Sequence, residues 1–204
     1  LLIILPLLLA HGHHAGALLR SRTLGYFALL GIGFLFVEIA FIQRFRLFLG
    51  DPLYATAVVL AGFLVFAGLG SWLSRLGSPR LRPRLSAAVV AIVSVSLAYL
   101  WLLPLLFEAL VHWPLYAKAA VTLLLIAPLA VPMGMPFPLG LAELGARDPA
   151  LLPWAWGING SFSVVSAVAA PLVAMAWGFS GLILVSVVLY AAVPWIFRGA
   201  RRVA

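Results

Sequence analysis

The sequence predicts an all-α, polytopic helical membrane protein with six complete transmembrane helices and one partial helix at its N-terminal end. Three observations lead there. The 204 residues are 65% apolar and 9% charged, with a mean hydropathy of +1.19, against roughly 45–50% and about 25% in ordinary soluble domains. Thirteen basic and five acidic residues are too few to wet the surface of a soluble fold this size, so the excess apolar surface faces lipid. The apolar runs are also long and solid, without the period-two alternation of a membrane β-strand.

In chain order, residues 1–10 are apolar but too short to span, and read as the tail of a helix that starts upstream. No basic stretch precedes them and no clear cleavage site follows, so a signal peptide is the weaker reading. Residues 23–43 hold one ionisable group, Glu38, and residues 52–74, 85–107 and 119–142 hold none. Each run is 21 to 24 residues long, and about 20 helical residues cross a hydrocarbon core of roughly 30 Å. Residues 149–197 continue for 49 residues without a charge. As one helix they would extend roughly 73 Å, which is two crossings, folded back at Gly178-Phe179-Ser180-Gly181. The whole of 1–204 is one transmembrane domain, expected to be the C-terminal part of a longer chain.

Charge sets the orientation. Ten of the thirteen basic residues fall on the face carrying the loops around Arg22, Arg75–Arg84 and Arg147 and the C-terminal end. Arg44, Arg46 and Lys118 fall on the other. Basic loops stay in the cytoplasm, so the C-terminus is cytoplasmic and the loops near Asp51 and His112 are external. Trp72, Trp154, Trp156 and Trp195 near one set of helix ends, with Trp113 and Trp177 near the other, fit interfacial belts.

The net charge of +8 therefore reports topology, and nucleic acid is excluded as a partner. With no cysteine there is no disulfide framework and no thiolate chemistry. His11, His13 and His14 cluster without an acidic neighbour, which leaves a metal site short of ligands. No metal or cofactor is expected, and lipid is the expected partner.

Two constellations are candidate sites. Glu38 is the one acid within a complete span, and an intramembrane ionisable residue is a functional hypothesis by default. Arg44, Tyr54 and Lys118 are the groups expected beside it, as an ion pair or a hydrogen-bonded neutral carboxyl, with proton or substrate handling as the alternative. Pro128, Pro132 and Pro136 recur every four residues, followed by Pro138, with Gly134 among them. Each proline removes a backbone donor, so residues 131–138 are expected to leave regular helix and open a pocket. Non-helical backbone at membrane depth needs protein or a water-filled cavity to cover it. Asn159, Ser161, Ser163 and Ser166 are the expected cover, and a tightly packed kink is the competing reading. Glu38 and Asn159 are not expected to touch, because their depths differ by roughly 15 Å. Gly68 and Gly70 are expected in a close helix–helix contact.

Three stretches carry a family resemblance: GIGFLFVEIAFIQRFRLFLGDPLYATAVVLAGFLVFAGLGS at residues 31–71, PMGMPFPLGL at 132–141 and PWAWGINGSFSVV at 153–165. Together they resemble the membrane region of large bacterial spermidine-synthase-like proteins, in which several helices accompany a soluble, aminopropyltransferase-like domain. The resemblance implies a bacterial inner-membrane location. It also implies that nucleotide-binding glycines and amine-deprotonating acids belong to that soluble domain, outside these residues. Gly31-Ile-Gly33 lies in a lipid-spanning run and does not follow a strand, so it is no dinucleotide fingerprint. The expected role is a non-catalytic membrane domain that anchors or scaffolds such a soluble domain or a larger membrane complex. The alternative is a small-molecule transporter or channel using the proline-broken helix and Glu38. A membrane enzyme ranks last, for want of paired carboxylates or a catalytic histidine in a span.

Overall fold

The computed structural model describes residues 17–76 and 81–198, and among the described residues it is helical, without strands. The helices are α1 (Ala17–Leu49), α2 (Pro52–Leu73), α3 (Leu81–Ala109), α4 (Leu115–Met133), α5 (Pro136–Arg147) and α6 (Leu152–Arg198), with a 3-10 turn at Pro149–Leu151 before α6. Five segments are long and apolar enough to cross a membrane: Ser21–Leu49, Pro52–Leu73, Pro83–Ala109, Leu115–Arg147 and Pro149–Ile196. The expectation of six complete spans plus a partial one is thus met as an all-helical polytopic architecture but not in its count. Residues 1–10 and the His11–His14 cluster lie outside the described residues. α6 keeps helical backbone angles except at one residue, the first of the expected fold-back Gly178-Phe179-Ser180-Gly181.

That residue is Gly178, with φ 66° and ψ −169° inside an otherwise helical segment. A left-handed φ of this kind is open to glycine at little steric cost. On either side of it α6 packs along α1 in opposite directions. Asn159, early in α6, donates from Nδ2 to the Phe27 carbonyl at 3.1 Å. Phe179, at the bend, lies 6.4 Å from Phe41 between ring centroids. A Cβ on Gly25 would then meet Ile196 at 3.6 Å. The chain ascends from Phe27 to Phe41 and returns to Gly25, so α6 is a helical hairpin that clasps α1.

α1 is the centre of the bundle, with Val37, Ala40, Phe41 and Phe45 fully buried. It stops where Gly50 takes φ 78° and donates its N–H to the Arg46 carbonyl at 3.1 Å, a left-handed helix stop. Asp51 starts α2 at once, accepting from the Tyr54 N–H at 2.7 Å, with Pro52 in the first turn, where a missing N–H costs nothing. The two-residue link makes α1 and α2 antiparallel neighbours. The end of α2 is closed by Arg84, whose guanidinium donates to the Leu73 and Ser74 carbonyls at 3.0 and 2.8 Å, a cation on the negative end of the helix dipole.

The outward faces are apolar: Leu53, Leu64, Trp101, Met175 and Trp195 are all largely exposed. Large exposed apolar surface of this kind suits contact with a bilayer.

The four-residue proline repeat distorts less backbone than its composition predicts. α4 carries Pro128 and Pro132 within it and ends at Met133, and α5 restarts at Pro136. The interruption is confined to Gly134 and Met135, not spread over residues 131–138. Proline at the first position of a helix gives up a donor that would be idle anyway, so Pro136 and Pro138 open α5 without breaking it. Gly134 donates to the Ala130 and Val131 carbonyls at 3.0 and 3.2 Å, and Met135 to the Pro132 carbonyl at 3.2 Å.

Candidate functional site

Two glycines set the packing around the break. A Cβ on Gly134 would collide with the Ala67 carbonyl, and a Cβ on Gly70 with the Val131 carbonyl. The pairs 67 with 134 and 70 with 131 describe an antiparallel crossing of α2 and α4 at backbone contact, the geometry that small residues permit. Gly68 takes no part: a Cβ there meets nothing within 4 Å. Of the two glycines expected in a close contact, Gly70 is in one and Gly68 is not, because two residues turn a helix by about 200°.

Gly68 instead borders a cavity of about 350 Å³. Its floor is α1, through Leu30, Gly31 and Phe34; α2 contributes Leu64, Ala67, Gly68 and Ser71; the break contributes Met133, Gly134, Phe137 and Pro138; α6 contributes Asn159, Ser163 and Tyr190. Gly134, Pro138, Asn159 and Ser163 from the predicted pocket therefore line one space. Pro132, Pro136 and Ser161 do not line it. Ser161 is two residues from Asn159 and so points away around the helix, whereas Asn159, Ser163 and Ser166 share a face at steps of four and three. Pro132 and Pro136 are buried, and the Pro136 carbonyl accepts from the Tyr26 hydroxyl at 2.6 Å.

Asn159 does not bind the backbone freed by the prolines. Its partner is the Phe27 carbonyl on α1, and the Ser163 hydroxyl donates to the Asn159 carbonyl at 2.8 Å. Phe27 is eleven residues from Glu38, roughly 16 Å along α1, so Asn159 and Glu38 stay apart and have separate surroundings.

The second constellation does not assemble. Glu38 is 7% exposed, and no hydrogen bond or ion pair joins it to Arg44, Tyr54 or Lys118. The Arg44 guanidinium carbon lies 5.4 Å from the Phe179 ring centroid and 6.0 Å from that of Phe107, and its Nε is buried without a hydrogen-bond partner among the described residues. The Lys118 Nζ lies 5.4 Å from the Phe48 ring centroid. Cation–π contact with desolvated rings is worth about 2 kcal/mol or more, and here aromatic rings take the place expected for a carboxylate. Tyr54 is partly exposed at the start of α2, roughly 13 Å shallower than Glu38 by helical rise.

Gly31, Ser71 and Tyr190 are cavity residues that the sequence reading missed. Gly31 carried a signal, the Gly31-Ile-Gly33 pair, whose meaning is packing: a Cβ on Gly31 would lie 2.6 Å from the Asn159 carbonyl oxygen, and one on Gly33 would lie 3.0 Å from the Tyr190 ring. Ser71 and Tyr190 carried none, since each is a single polar residue within an apolar run.

Comparison with known proteins finds no match, whether to a family model, a curated protein or a solved structure.

Proposed function

We propose that this chain is a six-crossing domain of a bacterial inner membrane, with its C-terminus cytoplasmic, that anchors or scaffolds a spermidine-synthase-like soluble domain or a larger membrane complex and is not itself catalytic. One observation carries the scaffold reading. Four polar side chains tie one helix to the backbone of another: Tyr26 to Pro136, Tyr99 to Leu125, Arg84 to Leu73 and Asn159 to Phe27. Polar groups used this way hold helices at fixed angles. Six crossings are supported by the hairpin shape of α6, and a cytoplasmic C-terminus by the basic bias of that face. The soluble partner rests on the sequence resemblance.

A transporter or channel is the second reading, favoured by the cavity beside the break. Among the described residues no acidic or basic side chain lines that cavity, which suits neither a polyamine nor an ion. Flux measurements separate the two readings. Purified protein in liposomes is expected to take up no more spermidine, and to leak no more protons, than empty liposomes do. Uptake above that background overturns the scaffold role. Deleting this region from the gene should move the soluble domain from the membrane to the supernatant on fractionation; retention at the membrane also overturns it.

A further inference from the structure

The geometry points to the cavity beside the proline break as a binding site for an uncharged long-chain amphiphile drawn from the bilayer, with its hydrogen-bonding head at Ser71 and Asn159 and its chain along Phe34 and Leu64. The site goes beyond the anchoring role and does not depend on it.

Polar groups without partners mark the head end. The Ser71 hydroxyl makes no hydrogen bond among the described residues, and neither does that of Tyr190, which lines the cavity while only 1% exposed. Asn159 uses one amide N–H on Phe27, which leaves its second N–H and its carbonyl oxygen available. The Gly134 carbonyl has lost its helical donor, because the residue four ahead is Pro138. Polar groups at membrane depth need partners, and these are all neutral, so the head they suit is a hydroxyl or carbonyl.

The remaining wall is apolar. Each buried water needs two to four polar partners, which the Phe34–Leu64 end does not offer, whereas a hydrocarbon chain needs none. Leu64 and Ser71 are seven residues apart on α2, so head and chain ends are separated by about 10 Å. The volume, about 350 Å³, falls at the small end of ligand pockets, about 300–1,000 Å³. Leu64 is 70% exposed and Gly68 faces outward beside it, so the mouth opens on the lipid-facing side of α2, where acyl chains supply the ligand.

The test uses the protein in phosphatidylcholine nanodiscs with hexadecanol bearing a chain diazirine, and maps crosslinks by peptide mass spectrometry. Labelling is expected to concentrate on the peptides around Leu64 and Phe137, and excess plain hexadecanol should suppress it. Gly68→Leu should occlude the mouth and abolish this labelling while leaving the melting temperature near that of the parent. Ser71→Ala should weaken hexadecanol competition about five-fold, as one lost hydrogen bond would, and keeps the test decisive if the leucine variant fails to fold. Labelling spread evenly over the outward faces, or equal competition by hexadecane, overturns the proposal. Spermidine flux in liposomes would overturn the anchoring role and leave this site standing.

Discussion

Gly31 and Asn159 meet at backbone contact: a Cβ on Gly31 would lie 2.6 Å from the Asn159 carbonyl oxygen, while Asn159 reaches past it to hydrogen-bond Phe27. Two residues on, Gly33 faces Tyr190, in the other arm of the α6 hairpin. One glycine therefore admits each arm. The obstacle at Gly31 is backbone, which has little room to retreat, whereas at Gly33 it is the edge of a ring. Gly31→Ala should cost about 1–3 kcal/mol, the usual penalty for overpacking, and Gly33→Ala should cost less. Thermal melts in detergent check the order, and a larger loss for Gly33→Ala would put the tighter contact on the second arm.

The α2–α4 crossing makes a sharper contrast. Gly70→Ala and Gly134→Ala each drive a methyl into a carbonyl, at Val131 and Ala67 respectively, and each should lower the melting temperature by several degrees, for a cost of about 1–3 kcal/mol. Gly68→Ala meets open space and should be neutral, or slightly stabilising through a better helix propensity. Equal losses at positions 68 and 70 would mean that the helix is rotated from the orientation described.

Much of this architecture is legible in the sequence because lipid imposes a simple rule: spans are uncharged runs of fixed length, and Gly178 followed by Gly181 marks a fold-back. The break is legible too, since Pro136 and Pro138 remove donors wherever they fall. What the sequence hides is which face each residue takes. Gly68 and Gly70 look alike as small residues, yet one borders a cavity and the other touches a neighbouring backbone. Glu38 and Arg44 look like an ion pair, but six residues turn the helix through about 240° beyond one full circle, and Arg44 lies against Phe107 and Phe179 instead. The aromatic environment of that arginine comes from α3 and α6, far away in sequence, and no local pattern announces it.

Tyr26 tests whether interhelix hydrogen bonds stiffen the bundle. Its hydroxyl donates to the Pro136 carbonyl at 2.6 Å, its ring covers Gly140 so closely that a Cβ there would collide with it, and it is 1% exposed. Tyr26→Phe keeps the ring and removes the hydroxyl, for an expected loss of about 0.5–1.5 kcal/mol. Gly140→Val should cost more, because it displaces the whole ring. Denaturation in mixed micelles should rank them in that order; a Phe variant as unstable as the Val variant would show that the hydroxyl holds more than this one carbonyl.

The last prediction concerns the α6 hairpin. If residues 149–196 crossed as one helix of roughly 72 Å, more than twice a hydrocarbon core of roughly 30 Å, the segment near Ser180 would be buried in lipid. With the bend at Gly178, Ser180 lies at the turn, exposed, on the side of the bundle opposite the end of α2 at Leu73. The chain has no cysteine of its own, so single substitutions report without background. Ser180→Cys and His112→Cys should react with a membrane-impermeant maleimide in intact cells, and Ser78→Cys should react only after the cells are opened. Depth follows from packing: Phe179 lies beside Phe41, eight residues before α1 ends at Leu49, so the turn is roughly 12 Å short of the α1 end by helical rise. Ser180→Cys should therefore label more slowly than His112→Cys. Protection of Ser180→Cys in both intact and opened cells would count α6 as a single crossing and reverse the side assigned to the C-terminus.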